Sequence, residues 1–89
     1  MEPREGVWER VTAHQGEQFY TMKKLPFVYE IKGGECFIDR RKKSITRATF
    51  EKAYEKIRKE GKENIKGPKQ LGVFGAPYIW AIFRQLEMI

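Results

Sequence analysis

The sequence predicts an α+β domain: a short N-terminal helix, a three-stranded antiparallel meander and two C-terminal helices packed on one sheet face. Three observations predict it. Apolar residues recur at helical spacing near the start and twice in the second half. Three runs rich in aromatic and β-branched residues lie between them. Gly33-Gly34 separates the last two of those runs by the two positive-φ positions that a tight hairpin uses. Eighty-nine residues make one domain with a single small core. A 40% apolar content with twelve aromatic side chains is enough to pack that core, which excludes a chain disordered throughout.

In GVWERVTAHQG, Val7, Trp8 and Val11 share a helical face and Gly16 suits the stop, so a helix over roughly Glu5 to His14 is expected. EQFYTM and PFVYEIK read as strands; Phe27, Tyr29 and Ile31 alternate against Val28, Glu30 and Lys32. KKLP links these two runs, with Pro26 tolerated at a strand start. ECFIDR, the third strand, sets Cys36 and Ile38 on one face and Phe37 and Asp39 on the other. SITRATFEKAYEKIRKEG is the clearest helix. Phe50, Ala53, Tyr54 and Ile57 form its stripe and Gly61 its stop. With Thr46 as N-cap, Ile45 and Phe50 occupy the two positions of a hydrophobic staple, while Ser44 is an alternative cap. KENIKGPKQLGVFG is a long connection, exposed at its start, and APYIWAIFRQLEMI closes the chain as a helix apolar nearly all round, with Pro77 in its first turn.

Composition narrows the setting. Cys36 is the only cysteine, which excludes an intramolecular disulfide or a multi-cysteine metal site. MEPREGVWER is charged and does not read as a secretory leader. The longest apolar run, 76–83, is far short of the roughly 20 residues of a bilayer span. A reduced, cytoplasmic protein with no membrane partner is the expectation. The net charge of +6 is uneven: residues 23–69 hold fifteen Lys or Arg against seven Asp or Glu, and the flanks hold three against five. That asymmetry points to a local basic face.

The order of VWERVTAHQGEQFYT, LPFVYEIKGG, SITRATFEKAY and GAPYIWAIF resembles a family of small bacterial proteins of unknown function. The resemblance covers Val7 to Phe83 and implies the same fold, with no activity to transfer. The chain departs from that pattern at Lys23-Lys24, where the family has a glycine-containing turn. It departs again at Phe74-Gly75-Ala76-Pro77, where the family has Arg-Gly-Pro-Ser, so no role of that arginine carries over.

No catalytic residue, metal site or cofactor is expected. His14 stands alone at a helix end, Cys36 belongs to the apolar face of a strand, and Asp39 reads as an ion-pair partner of Arg40 and Arg41. GVFGAP precedes a helix but lacks the Gly-Lys-Ser/Thr ending of a phosphate loop, so a packed turn is the reading. Nucleic acid, DNA or RNA, is the partner expected from RRKKSITR. Arg40, Arg41, Lys42 and Lys43 would supply a cationic field, and Ser44, Thr46 and Arg47 would supply close contacts at a helix N-terminus. Lys23 and Lys24 would extend the patch, although they are expected at the far end of the sheet. Tyr20, Val28 and Phe37 are candidates for stacking unpaired bases on the sheet face opposite the helices. The rival is a protein-interaction module or homodimer using Tyr78, Trp80, Phe83 and Met88, more apolar surface than a small domain readily hides.

Overall fold

The computed structural model describes residues 5–61 and 64–88. Its elements are α1 (Glu5–Ala13), β1 (Gln18–Tyr20), β2 (Pro26–Lys32), β3 (Glu35–Ile38), β4 (Ile45–Thr46), α2 (Arg47–Glu60), a 3-10 turn (Pro68–Leu71) and α3 (Ala76–Gln85). The strands pair antiparallel in the order β1-β2-β3-β4. The α+β architecture is as expected, but the meander has four strands instead of three. The fourth is two residues long: Ile45 lies opposite Cys36 and Thr46 opposite Glu35. No period-two pattern can be read from two residues.

Alternation along the strands decides which face packs. Phe19, Phe27, Tyr29, Cys36, Ile38 and Ile45 are buried, and they meet Val7, Trp8 and Val11 of α1, Phe50, Ala53 and Ile57 of α2, and most of α3 in one core. No polar or charged residue is buried among the described residues. Ring contacts tie the layers together: Trp8 against Phe50 at 5.6 Å, Phe50 against Phe83 at 6.2 Å and Tyr54 against Phe83 at 5.8 Å. Tyr29 Oη donates to the carbonyl of Val11 at 2.6 Å, a polar bridge from sheet to α1 inside the apolar layer. Burial raises the Tyr29 phenol above its ordinary range, because the phenolate would lose its hydration there.

The caps follow the sequence. The Thr49 N–H donates to Thr46 Oγ1, so Thr46 is the N-cap of α2, and Gly61 ends that helix at φ 85°. The connection after α2 is more ordered than a loop. Ile65 and Leu71 are buried, and Gln70 accepts from the Gly67 N–H while donating to the carbonyl of Asn64. Lys62 and Glu63, at the start expected to be exposed, lie outside the described residues. Gly75, at φ 74°, precedes α3, and a Cβ there would meet Ile45 Cδ1 and Cγ1 inside 3.0 Å. GVFGAP is thus a packed turn, closed on β4.

Candidate nucleic-acid interface

The meander decides where the cations go. The chain leaves β1 at Tyr20, opposite Pro26, and leaves β3 at Ile38, opposite Tyr29 near the start of β2. The first and third connections therefore share one end of the sheet. This corrects the expectation that Lys23 and Lys24 lie at the far end: they stand with Arg40, Arg41, Lys42 and Lys43. The two turns are separated by about two strand spacings, roughly 10 Å. All six side chains belong to exposed residues.

Arg41 is the one of the six with a fixed partner. Its guanidinium lies 4.7 Å from the centre of the Phe74 ring and 5.7 Å from that of Tyr78, so it clamps the β3–β4 turn onto the start of α3. Lys23, Lys24, Arg40, Lys42 and Lys43 make no ion pair among the described residues. Asp39, the only acid in residues 39–44, was expected to pair with Arg40 and Arg41. Instead its Oδ1 accepts from the Val28 N–H at 3.1 Å, and its own N–H donates to the Val28 carbonyl. These bonds extend the β2–β3 pairing by one residue, and Asp39 makes no ion pair with the neighbouring cations among the described residues.

The other half of RRKKSITR points elsewhere. The Arg47 N–H donates to the carbonyl of Gly34, which fixes the start of α2 beside the β2–β3 hairpin at the opposite end of the sheet. The cationic turn and the helix N-terminus are separated by the length of β3, roughly 13 Å for four residues. They do not form one cradle. Ser44 donates to Glu35, Thr46 caps its own helix, and Arg47 Nε pairs with Glu51 at 2.8 Å. That hydrogen bond raises the Arg47 pKa further, so Arg47 holds its charge while sharing it with Glu51.

The outer sheet face is acidic. Glu30, Glu35 and Asp39 stand on it with Phe37, and its one lysine, Lys32, lies 3.7 Å from Glu30. Phe37 is 41% exposed, in a shallow depression with Val28, Glu30 and Asp39. Carboxylates around that ring repel a phosphate chain, so Phe37 and Val28 are poor stacking platforms for nucleic acid. Tyr20 stands apart, lining a groove with Met22, Lys24, Trp80 and Arg84 at the cationic end. Sequence reasoning missed Arg84 and Met22. The i, i+4 spacing of Trp80 and Arg84 places them on one side of α3, but nothing local brings the β1–β2 turn to them.

The residues expected at a protein interface are largely core. Phe83 is fully buried, Trp80 and Met88 nearly so, and the half-buried Tyr78 lies edge-on to Phe27 at 5.0 Å. The expectation of excess apolar surface on the last helix is corrected: the 3-10 turn and β1 pack against it, and Phe50 and Tyr54 of α2 meet Phe83. Exposed large apolar side chains occur instead at Tyr20, Met22, Leu25, Phe37 and Phe74. Cys36 is buried as expected, and burial pushes its thiol up to about 12, away from thiolate chemistry. His14 Nδ1 lies 2.8 Å from Glu17 Oε2 on the surface. No helix among the described residues is long and apolar enough to cross a membrane.

No family model matches this chain. Comparison with curated proteins and with solved structures likewise finds no significant match.

Proposed function

We propose that this protein is a non-catalytic nucleic-acid-binding module whose contact surface is the end of the sheet carrying the β1–β2 and β3–β4 turns. The observation that carries the reading is the convergence of Lys23, Lys24, Arg40, Lys42 and Lys43 at that end without ion pairs among the described residues. Cations held next to one another repel, and the arrangement is relieved by an extended polyanion. Arg41 serves the surface indirectly, fixing the β3–β4 turn over Phe74 and Tyr78. The acidic outer face limits contact to this end and sets the register of a strand that would otherwise spread over the sheet.

The contacts are to phosphate and read no duplex sequence. α2 starts at the other end, and Glu51, Glu55 and Glu60 share its length with its basic residues; no helix among the described residues is presented as a groove reader. Fluorescence anisotropy of labelled oligonucleotides from low to physiological salt tests the reading. Five phosphate contacts predict a slope of log affinity against log salt of roughly −4.5 on duplex and roughly −3.5 on single strands. A flat salt dependence, or no binding at low salt, contradicts it.

A further inference from the structure

The groove beside the β1–β2 turn is unusual in its balance of hydrogen-bonding groups. It has a volume of about 380 Å³ and is open to solvent, within the size range of small-ligand sites. Tyr20 Oη accepts from Gln18 Nε2 at 2.7 Å, which leaves its own O–H free to donate. Thr21 Oγ1 accepts from the Leu25 N–H at 3.2 Å, with the same consequence. Lys24 and Arg84 offer donors only. Trp80, nine-tenths buried, contributes to the wall of the groove. Against these four donor-bearing side chains, Gln85 offers one amide oxygen, its Nε2 being engaged by the carbonyl of Gln18. Such a wall is completed by an anion rich in acceptors. The half-exposed Tyr20 ring and Met22 add a flat apolar surface.

We infer that this groove is a subsite for one unpaired nucleotide, so that the cationic end binds single strands more tightly than duplex. The inference rests on the phosphate reading above and deepens it. A nucleotide offers phosphate oxygens to Lys24 and Arg84, carbonyl and ring-nitrogen acceptors to the two hydroxyls, and a π-face to Tyr20. Its neighbours along the strand continue over Lys23 towards the β3–β4 turn. A paired, stacked base does not enter without being extruded from the duplex.

The test combines two readouts on the full chain: anisotropy, and the two indole N–H resonances that Trp8 and Trp80 give in a ¹⁵N-correlation spectrum. The probes are an oligothymidylate of about 12 nucleotides, a duplex of the same length, and vesicles of anionic phospholipid. The single strand is expected to move the Trp80 resonance and leave that of Trp8, in the core against Phe50, in place. Tyr20→Ala is expected to weaken single-strand binding roughly five- to hundredfold and to leave duplex binding unchanged. Lys42→Glu with Lys43→Glu is expected to weaken both. Equal binding of strand and duplex, with Trp80 unmoved and Tyr20→Ala silent, overturns the groove while the phosphate surface stands. A Trp80 shift that survives the double reversal at full affinity keeps the groove and removes the β3–β4 turn from the interface. Shifts with vesicles and none with oligonucleotides reassign the groove to a lipid surface and overturn the proposal. No binding of any probe overturns both readings.

Discussion

The two halves of RRKKSITR share eight consecutive residues and end in opposite situations. Arg40 to Lys43 cross a turn at one end of the sheet, and the two-residue β4 then brings the chain to Arg47, which begins α2 at the other. At the turn, Asp39 is held by the backbone of β2, and Arg40, Lys42 and Lys43 make no ion pair among the described residues. At the helix start, Ser44, Thr46 and Arg47 each satisfy a partner in the same chain. What separates the two halves here is the location of the compensating groups and not the number of positive charges.

The largest expected effect comes from breaking what holds the two halves apart. β4 is only two residues long, and Ile45 is seated against Gly75. Gly75→Ala introduces a side chain at φ 74° and into the Ile45 side chain at once, and is expected to cost about 2–4 kcal/mol. In a domain with about 4–13 kcal/mol of stability, urea denaturation resolves that loss directly. A variant as stable as the parent would mean that β4 has freedom to shift.

Charge reversal sharpens the comparison next. Lys42→Glu with Lys43→Glu is expected to weaken nucleic-acid binding at low salt by more than about tenfold, since two attractive contacts become repulsive. Arg47→Glu places a like charge beside Glu51 at a helix start. It is expected to change affinity by less than about threefold, through the screened long-range field alone. Comparable losses from the two would place α2's N-terminus in the interface.

Smaller effects separate clamp from contact. Arg41→Ala removes a cation–π clamp and is expected to cost about 1 kcal/mol, with a lower melting temperature as the readout. Thr46→Ala is expected to cost a similar amount, about 1 kcal/mol, by uncapping α2. It should leave nucleic-acid binding untouched, whereas Arg41→Ala should weaken it modestly by loosening the turn.

Much of the fold was legible because local chemistry and tertiary structure agree. Gly33 takes the positive φ of the hairpin, Gly61 stops α2, Thr46 caps it, and the alternation in PFVYEIK sorts core from solvent. Even the acidic outer face is readable, since period two places Glu30, Glu35 and Asp39 with Phe37. Three features were not legible. β4 is too short to carry a pattern. The burial of Trp80 and Phe83 depends on how much of α3 the sheet and its neighbouring helices enclose, which no local signal reports. Arg41 finds Phe74 thirty-three positions away. The shared end of the two cationic turns was available from parity alone, because alternate turns of a meander fall together once its order is known.

The most direct test of the account is the salt dependence of single-strand binding for the parent, for Lys42→Gln with Lys43→Gln, and for Arg47→Gln. Neutral substitutions remove phosphate contacts without adding repulsion. The account predicts that the double variant flattens the log–log slope by roughly 1.4 and that Arg47→Gln leaves it unchanged. An unchanged slope in the double variant, or an equal flattening by Arg47→Gln, would contradict the claim that the turn and not the helix start meets the phosphates.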